Sequence, residues 1–159
     1  MSDAVSFRLL SSLQARLQQV RTGVGSPWLT DIGADVRIDG SFAGFQGVAD
    51  PQPVSTVYAL EFDRAEAGNS AKQVSSEIGI VIDVFIPGDS VEHMRLAHNA
   101  RWDLVRALRD YSTDLPRDLS GSVNSLRLTG ELIQPAFGSN LIAVQITAQA
   151  GLTERLSAQ

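Results

Sequence analysis

At 159 residues with 43% hydrophobic content, the chain can bury roughly 70% of the surface its unfolded form exposes, so one ordinary core in one domain, 1–159, suffices. A formal charge of −5 argues against a sequence-neutral grip on nucleic acid, which needs a basic footprint to displace counterions from phosphates. The absence of cysteine excludes a disulfide framework and thiolate chemistry, no apolar run approaches the ~20 residues of a membrane span, and MSDAVSFRLL lacks the basic start of a signal peptide, so a soluble, unexported protein without membrane partners is expected.

In chain order, Leu9, Leu10, Leu13, Leu17 and Val20 make one stripe at three-and-four spacing and predict a helix from about Asp3 to Arg21, with Ser2 or Asp3 as its cap. Gly23, Gly25 and Pro27 stop it. Ala34, Val36 and Ile38 then mark a short strand ending at the Asp39–Gly40 turn, and 41–53 reads as a loop that is unusually apolar for a connector. From Val54, the set Val54, Thr56, Tyr58, Leu60 and Phe62 alternates with Ser55, Val57, Ala59, Glu61 and Asp63, as a strand does.

The clearest unit follows a polar loop. Ile78, Ile80, Ile82, Val84 and Ile86 fall on one face of a long strand, with Glu77, Gly79 and Asp83 on the other. Pro87 and Gly88 end it, Asp89 or Ser90 offers a cap, and a helix runs from there to Tyr111, before Pro116. Two further alternating runs, one with Leu126, Leu128 and Leu132 and one with Ile142, Val144, Ile146, Ala148 and Ala150, are joined through Pro135, Gly138 and Asn140 as a hairpin. Because every long strand alternates, the expected fold is α+β in two layers: a mainly antiparallel sheet of four to five strands, with two helices on one face and the other face polar. That polar face is expected to carry Glu61, Asp63, Glu77, Asp83 and Glu131.

No phosphate-binding loop, GxSxG elbow, HExxH or EF-hand motif is present, so no catalytic residue, metal ligand or cofactor is expected. Carboxylates on neighbouring strands are a donor type that hard divalent ions use, which keeps a metal-dependent nuclease as a rival reading; a cavity between sheet and helices would give a third, a small-molecule binding module. His93 and His98 are five apart, about 140° on a helix, and do not share a metal.

The surface offers more. On the second helix Met94, Ala97, Ala100, Leu104, Leu108 and Tyr111 form the buried stripe, while Trp102 projects to nearly the opposite side beside Arg95, His98, Arg106 and Arg109. Trp and Arg are the residue types most enriched where interface energy concentrates, so Trp102, Arg95, Arg106 and Arg109 are candidate contacts, with Arg106 expected over the indole. Phe42 and Phe45, in a loop with Gly40, Gly44 and Gly47, are a second candidate. Arg101 points at the apolar stripe and must extend to water or pair with a carboxylate.

With its elements laid out, the chain resembles the tail terminator (tail completion) proteins of long-tailed bacteriophages. The resemblance lies in length and element order: the helix RLLSSLQARLQQV, the entry DIGADVRIDG, the strands VSTVYALEFDR and EIGIVIDVFI, the helix VEHMRLAHNARWDLVRALRDY, and a closing hairpin ending AVQITAQAGLTERL. It implies a virion subunit, assembled in the host cytoplasm, that forms a ring, typically hexameric, on the head-proximal end of the tail tube. There it would stop tube growth and offer a docking face to head–tail connector proteins, with DNA passing without sequence-specific binding. A neck or head-closure protein of the same particle is the near alternative.

Overall fold

The chain builds α1 (Val5–Leu17), a 3-10 turn (Ile32–Ala34), β1 (Val36–Arg37), β2 (Val54–Arg64), β3 (Gln73–Pro87), α2 (Val91–Thr113), β4 (Val123–Ala136) and β5 (Leu141–Arg155). This computed structural model describes residues 3–38, 52–64, 73–113, 115–116, 119, 121–136 and 140–155. The strands lie in the order β1-β2-β3-β5-β4, and every neighbouring pair is antiparallel except β1 with β2. The fold is α+β, as the alternation of its strands implies.

β-branched side chains are favoured on a pleated, half-buried surface. Ile78, Ile80, Ile82, Val84 and Ile86 of β3 meet Ile142, Val144, Ile146, Ala148 and Ala150 of β5 in register, and this face carries both helices. Leu9, Leu13 and Leu17 of α1 and Ala97, Ala100, Leu104, Ala107 and Leu108 of α2 are buried against it. Each leucine so buried contributes about 1.5–3 kcal/mol. Small residues on α2 let its axis lie close to the sheet, which is why three alanines occupy its inner face.

The helix ends differ in how they are held. α1 starts at Val5, two residues inside the predicted start, after Ala4, which offers no side-chain cap, and closes at Leu17 rather than Arg21. The Val20 amide donates back to the Leu17 carbonyl, and the Gly33 amide to the Val20 carbonyl, so the helix end is tied to the 3-10 turn. A β-carbon at Gly33 would lie 2.5 Å from the Leu17 carbonyl oxygen and 2.8 Å from those of Gln18 and Val20, a close approach only glycine permits. At α2, Ser90 Oγ accepts from the His93 amide and also bonds His93 Nδ1 at 2.6 Å. The His93 ring lies over Gly88, where a β-carbon would meet it at 2.3 Å, so this histidine belongs to the strand-to-helix turn.

Register shifts, one in β2 and two in β4, change which side chains share a face. In β2, Val54, Thr56 and Tyr58 pair with Phe85, Asp83 and Val81, so they point away from the helices, and Ser55, Val57 and Ala59 point toward them. The register then shifts between Ala59 and Phe62, and Phe62 comes opposite Ile78. In β4 a shift between Leu128 and Gly130 separates Leu126 and Leu128, partly buried against the core, from Leu132, which comes opposite Gln145 on the open face and is 49% exposed. Strict alternation placed these three leucines together; one extra residue in the strand separates them.

The face without helices is also less polar than predicted. Val54, Val81, Phe85 and Leu141 on it are all buried, outside the main core cluster.

Candidate interaction surfaces

Trp102 stands 45% exposed on the outer side of α2, where its phase against the Ala100–Leu104–Leu108 stripe puts it. The guanidinium of Arg101 lies 6.0 Å from the centre of its ring, a contact of about 0.5–1 kcal/mol at an exposed site. Arg106 is not its partner. The Arg106 guanidinium is 5.2 Å from the Trp28 ring and its Nη1 donates to the Pro27 carbonyl, while Arg16 approaches the same Trp28 ring at 5.5 Å. Trp28 lies in the stretch after α1 and therefore competes for Arg106, which helical phase alone assigned to Trp102. Arg95 is exposed and pairs with Glu92 one turn back at 3.4 Å. Arg109 is exposed beside a shallow groove of about 170 Å³ that Leu108, Leu126, Arg127, Leu128 and Ala148 also line. Phe42 and Phe45 lie outside the described residues.

The segment leading into the 3-10 turn is fixed by Asp103, a fully buried carboxylate on the flank of the α2 stripe. Its oxygens accept the Leu29 and Thr30 amides at 3.0 and 2.8 Å and the Thr30 hydroxyl at 2.7 Å. The sequence signal for it is a carboxylate one residue from an exposed Trp and one from the core Leu104, too near the apolar margin to be solvated; only the position of Thr30 shows what it binds.

On the open sheet face the carboxylates are held in polar chains. Asp83, 8% exposed, accepts the Tyr58 hydroxyl at 2.9 Å and the Gln145 amide at 2.9 Å, one strand to either side. Burial, and then the bond and charge of Asp83, push the Tyr58 phenol up to about 12. Glu77 is exposed and accepts from Gln149 Nε2, whose Oε1 in turn accepts from Arg127 on β4. Asp63 comes opposite Glu77 in the ladder; of Glu61 and Asp63 only the strand position is described.

Glu131 is not part of this face. It comes opposite Ile146 after the β4 bulge, on the helix side, and forms an ion pair with Arg101 of α2. Of the two outcomes expected for Arg101, extension to water or pairing with a carboxylate, this contact is the second. An acidic patch of five carboxylates is thus reduced to Glu77 and Asp83 among the described side chains, with Arg127 beside them. Among the described residues, no three His, Asp or Glu side chains gather at metal-binding distance. No described helix is long and apolar enough to cross a membrane.

Two shallow grooves cross the open face. One, of about 390 Å³, lies over Gly79, Thr147 and Thr129 with Leu60 at its rim; the other, of about 260 Å³, lies over Asp83, Ala143 and Gln145 with Leu132 at its rim. Leu60 is 64% exposed, so the outer strands β2 and β4 each present a bare leucine on this face.

The described residues thus define a small α+β fold whose polar side chains mostly satisfy one another and whose exposed large apolar side chains are Phe7 on α1, Val24 and Leu29 after it, Val91 and Trp102 on α2, and Leu60 and Leu132 on the sheet. No protein-family model and no curated protein matches the sequence. Among solved structures the chain shares its fold with a chain of the virion of a native gene transfer agent particle, at 17% identity and a TM-score of 0.52, over 91% of this chain and 98% of that one.

Proposed function

We propose that this protein is a structural subunit of a tailed phage-like particle, a tail terminator that forms a ring, six copies in the favoured arrangement, on the head-proximal end of the tail tube. The observation that carries this reading is the shared fold with a virion chain over nearly the full length of both. Element order, read as a resemblance to the tail terminators, supports the finer role. A subunit of such a ring needs contacts to two neighbours, to the tube and to the head connector, and heterologous contacts that close give rings. Trp102, with Arg95 and Arg109 on the same side of α2, supplies one such surface. The open sheet face, with Glu77 and Asp83, is assigned to the channel, where negative charge repels DNA phosphates over about 8 Å at physiological salt.

The test is substitution of Trp102 by Glu in a particle-producing strain that has lost its own copy, scored by electron microscopy. The expected result is tails of uncontrolled length without heads, from a protein whose unfolding midpoint is unchanged. Tails of normal length that fail only to acquire heads would move the role to head closure. Complete particles would remove Trp102 from the interface, and normal particles in the strain lacking the protein altogether would end the reading.

A further inference from the structure

We infer that the outer side of α2 is a seam for a helix of a different protein, one with an apolar turn at its centre and carboxylates seven residues to either side. The inference rests on the reading of this chain as a particle subunit and names what the Trp102 surface meets there.

At about 100° per residue, Val91, Arg95, His98, Trp102 and Arg109 all project within about 40° of the Trp102 direction. All five are exposed, and they follow one another at steps of four, three, four and seven, the spacing of a seam between packed helices. The chain itself occupies both flanks of this strip. At one margin Arg106 donates to the Pro27 carbonyl, and beyond it Asp103 holds the Leu29 amide; past the other, Arg101 pairs with Glu131 of β4. Leu29, half exposed, adds an apolar shoulder.

No carboxylate lies in the strip. Glu92 and Asp110, the exposed acids of α2, both project about 80° from Trp102, on the Asp103 side. The pair of Glu92 with Arg95 is exposed at both ends and is worth at most about 1 kcal/mol, so it leaves the cation available to a partner. Arg95 and Arg109 stand one heptad to either side of Trp102, about 10 Å each way along the axis. An aromatic anchor bordered by cations fits an apolar patch bordered by carboxylates.

A second copy does not supply that patch from its helices. Antiparallel α2 helices meeting at Trp102 set Arg95 against Arg109, parallel ones set each arginine against itself, and α1, VSFRLLSSLQARL, has no carboxylate. The formal charge of −5, and the apolar Val91 and Trp102 within the strip, favour a protein over nucleic acid.

The test places the photocrosslinker p-benzoylphenylalanine at position 98, and separately at position 91, of the full chain, and irradiates purified particles; crosslinked peptides are identified by mass spectrometry. The expected product joins this chain to a second protein within a helical segment that carries carboxylates. Its yield should fall at least about tenfold in the double variant Arg95→Glu, Arg109→Glu, with an unchanged unfolding midpoint, while Arg95→Lys, Arg109→Lys keeps most of it. Loss of the glutamate variant but not of the lysine variant from particles supports the inference in the same way. A product joining two copies of this chain, a nuclease-sensitive product, a partner segment without carboxylates, a yield that charge reversal leaves unchanged, or particles that hold the chain and give no product at either position would each overturn the inference and leave the subunit reading intact. Particles from which even the unsubstituted chain is absent would end both.

Discussion

Replacement of Asp103 by Ala tests how the stretch after α1 is held. The carboxylate is fully buried and takes three donors, two backbone amides and one hydroxyl; Thr30, which supplies two of them, is 2% exposed, while Leu29 is half exposed and its amide can turn to water. Two solvent-excluded bonds to an acidic side chain, at about 1.5–3 kcal/mol each and partly offset by the removed cost of burying the carboxylate, give an expected loss of about 3–4 kcal/mol. For a chain of this length that lowers the melting temperature by on the order of 10 °C. Asp103→Asn keeps one acceptor oxygen and should lose about half as much. Urea unfolding followed by tryptophan fluorescence is a suitable assay, because Trp28 sits between Arg16 and Arg106 in the segment that Asp103 holds. A loss below about 1 kcal/mol for the alanine variant, with an unchanged slope against urea, would refute this account of the buried carboxylate.

Two other perturbations follow from particular contacts. Gly33→Ala drives a β-carbon into three backbone carbonyls at 2.5–2.8 Å, and since backbone cannot rotate away the expected cost is about 2–3 kcal/mol, read as a lower urea midpoint; wild-type stability would contradict the close approach. Tyr58 keeps its phenol proton to about 12 in the folded state and releases it near 10 when unfolded, so its contribution to stability is complete below 10 and declines as pH rises from 10 to 12. Stability curves of wild type and Tyr58→Phe across that window should therefore differ in slope, the variant being flatter; parallel curves would mean that the hydroxyl does not hold Asp83 in solution.

Much of the architecture was legible because period is a local property. The isoleucines of β3 and the 3.6-residue stripe of α2 each decide an element without reference to anything distant, and their summed order gave a two-layer α+β sheet with its helices on one face. Arg101 was legible in part for the same reason: a cation phased onto an apolar stripe must extend to water or pair with a carboxylate, although the chain could not say which, or that the carboxylate would be Glu131.

What tertiary structure alone decided was the side on which each residue of the outer strands lies and which partner each charge takes. A bulge adds one residue without altering composition, so the shift in β4 between Leu128 and Gly130 puts Leu132 on the open face and Glu131 beneath α2, against the reading of their sequence. The contest between Trp28 and Trp102 for Arg106, and the capture of Thr30 by Asp103, join residues more than seventy positions apart. Hydrophobic periodicity specifies faces because it is counted along the chain; registers and pairings depend on which elements pack together, and that is settled only when the whole core closes.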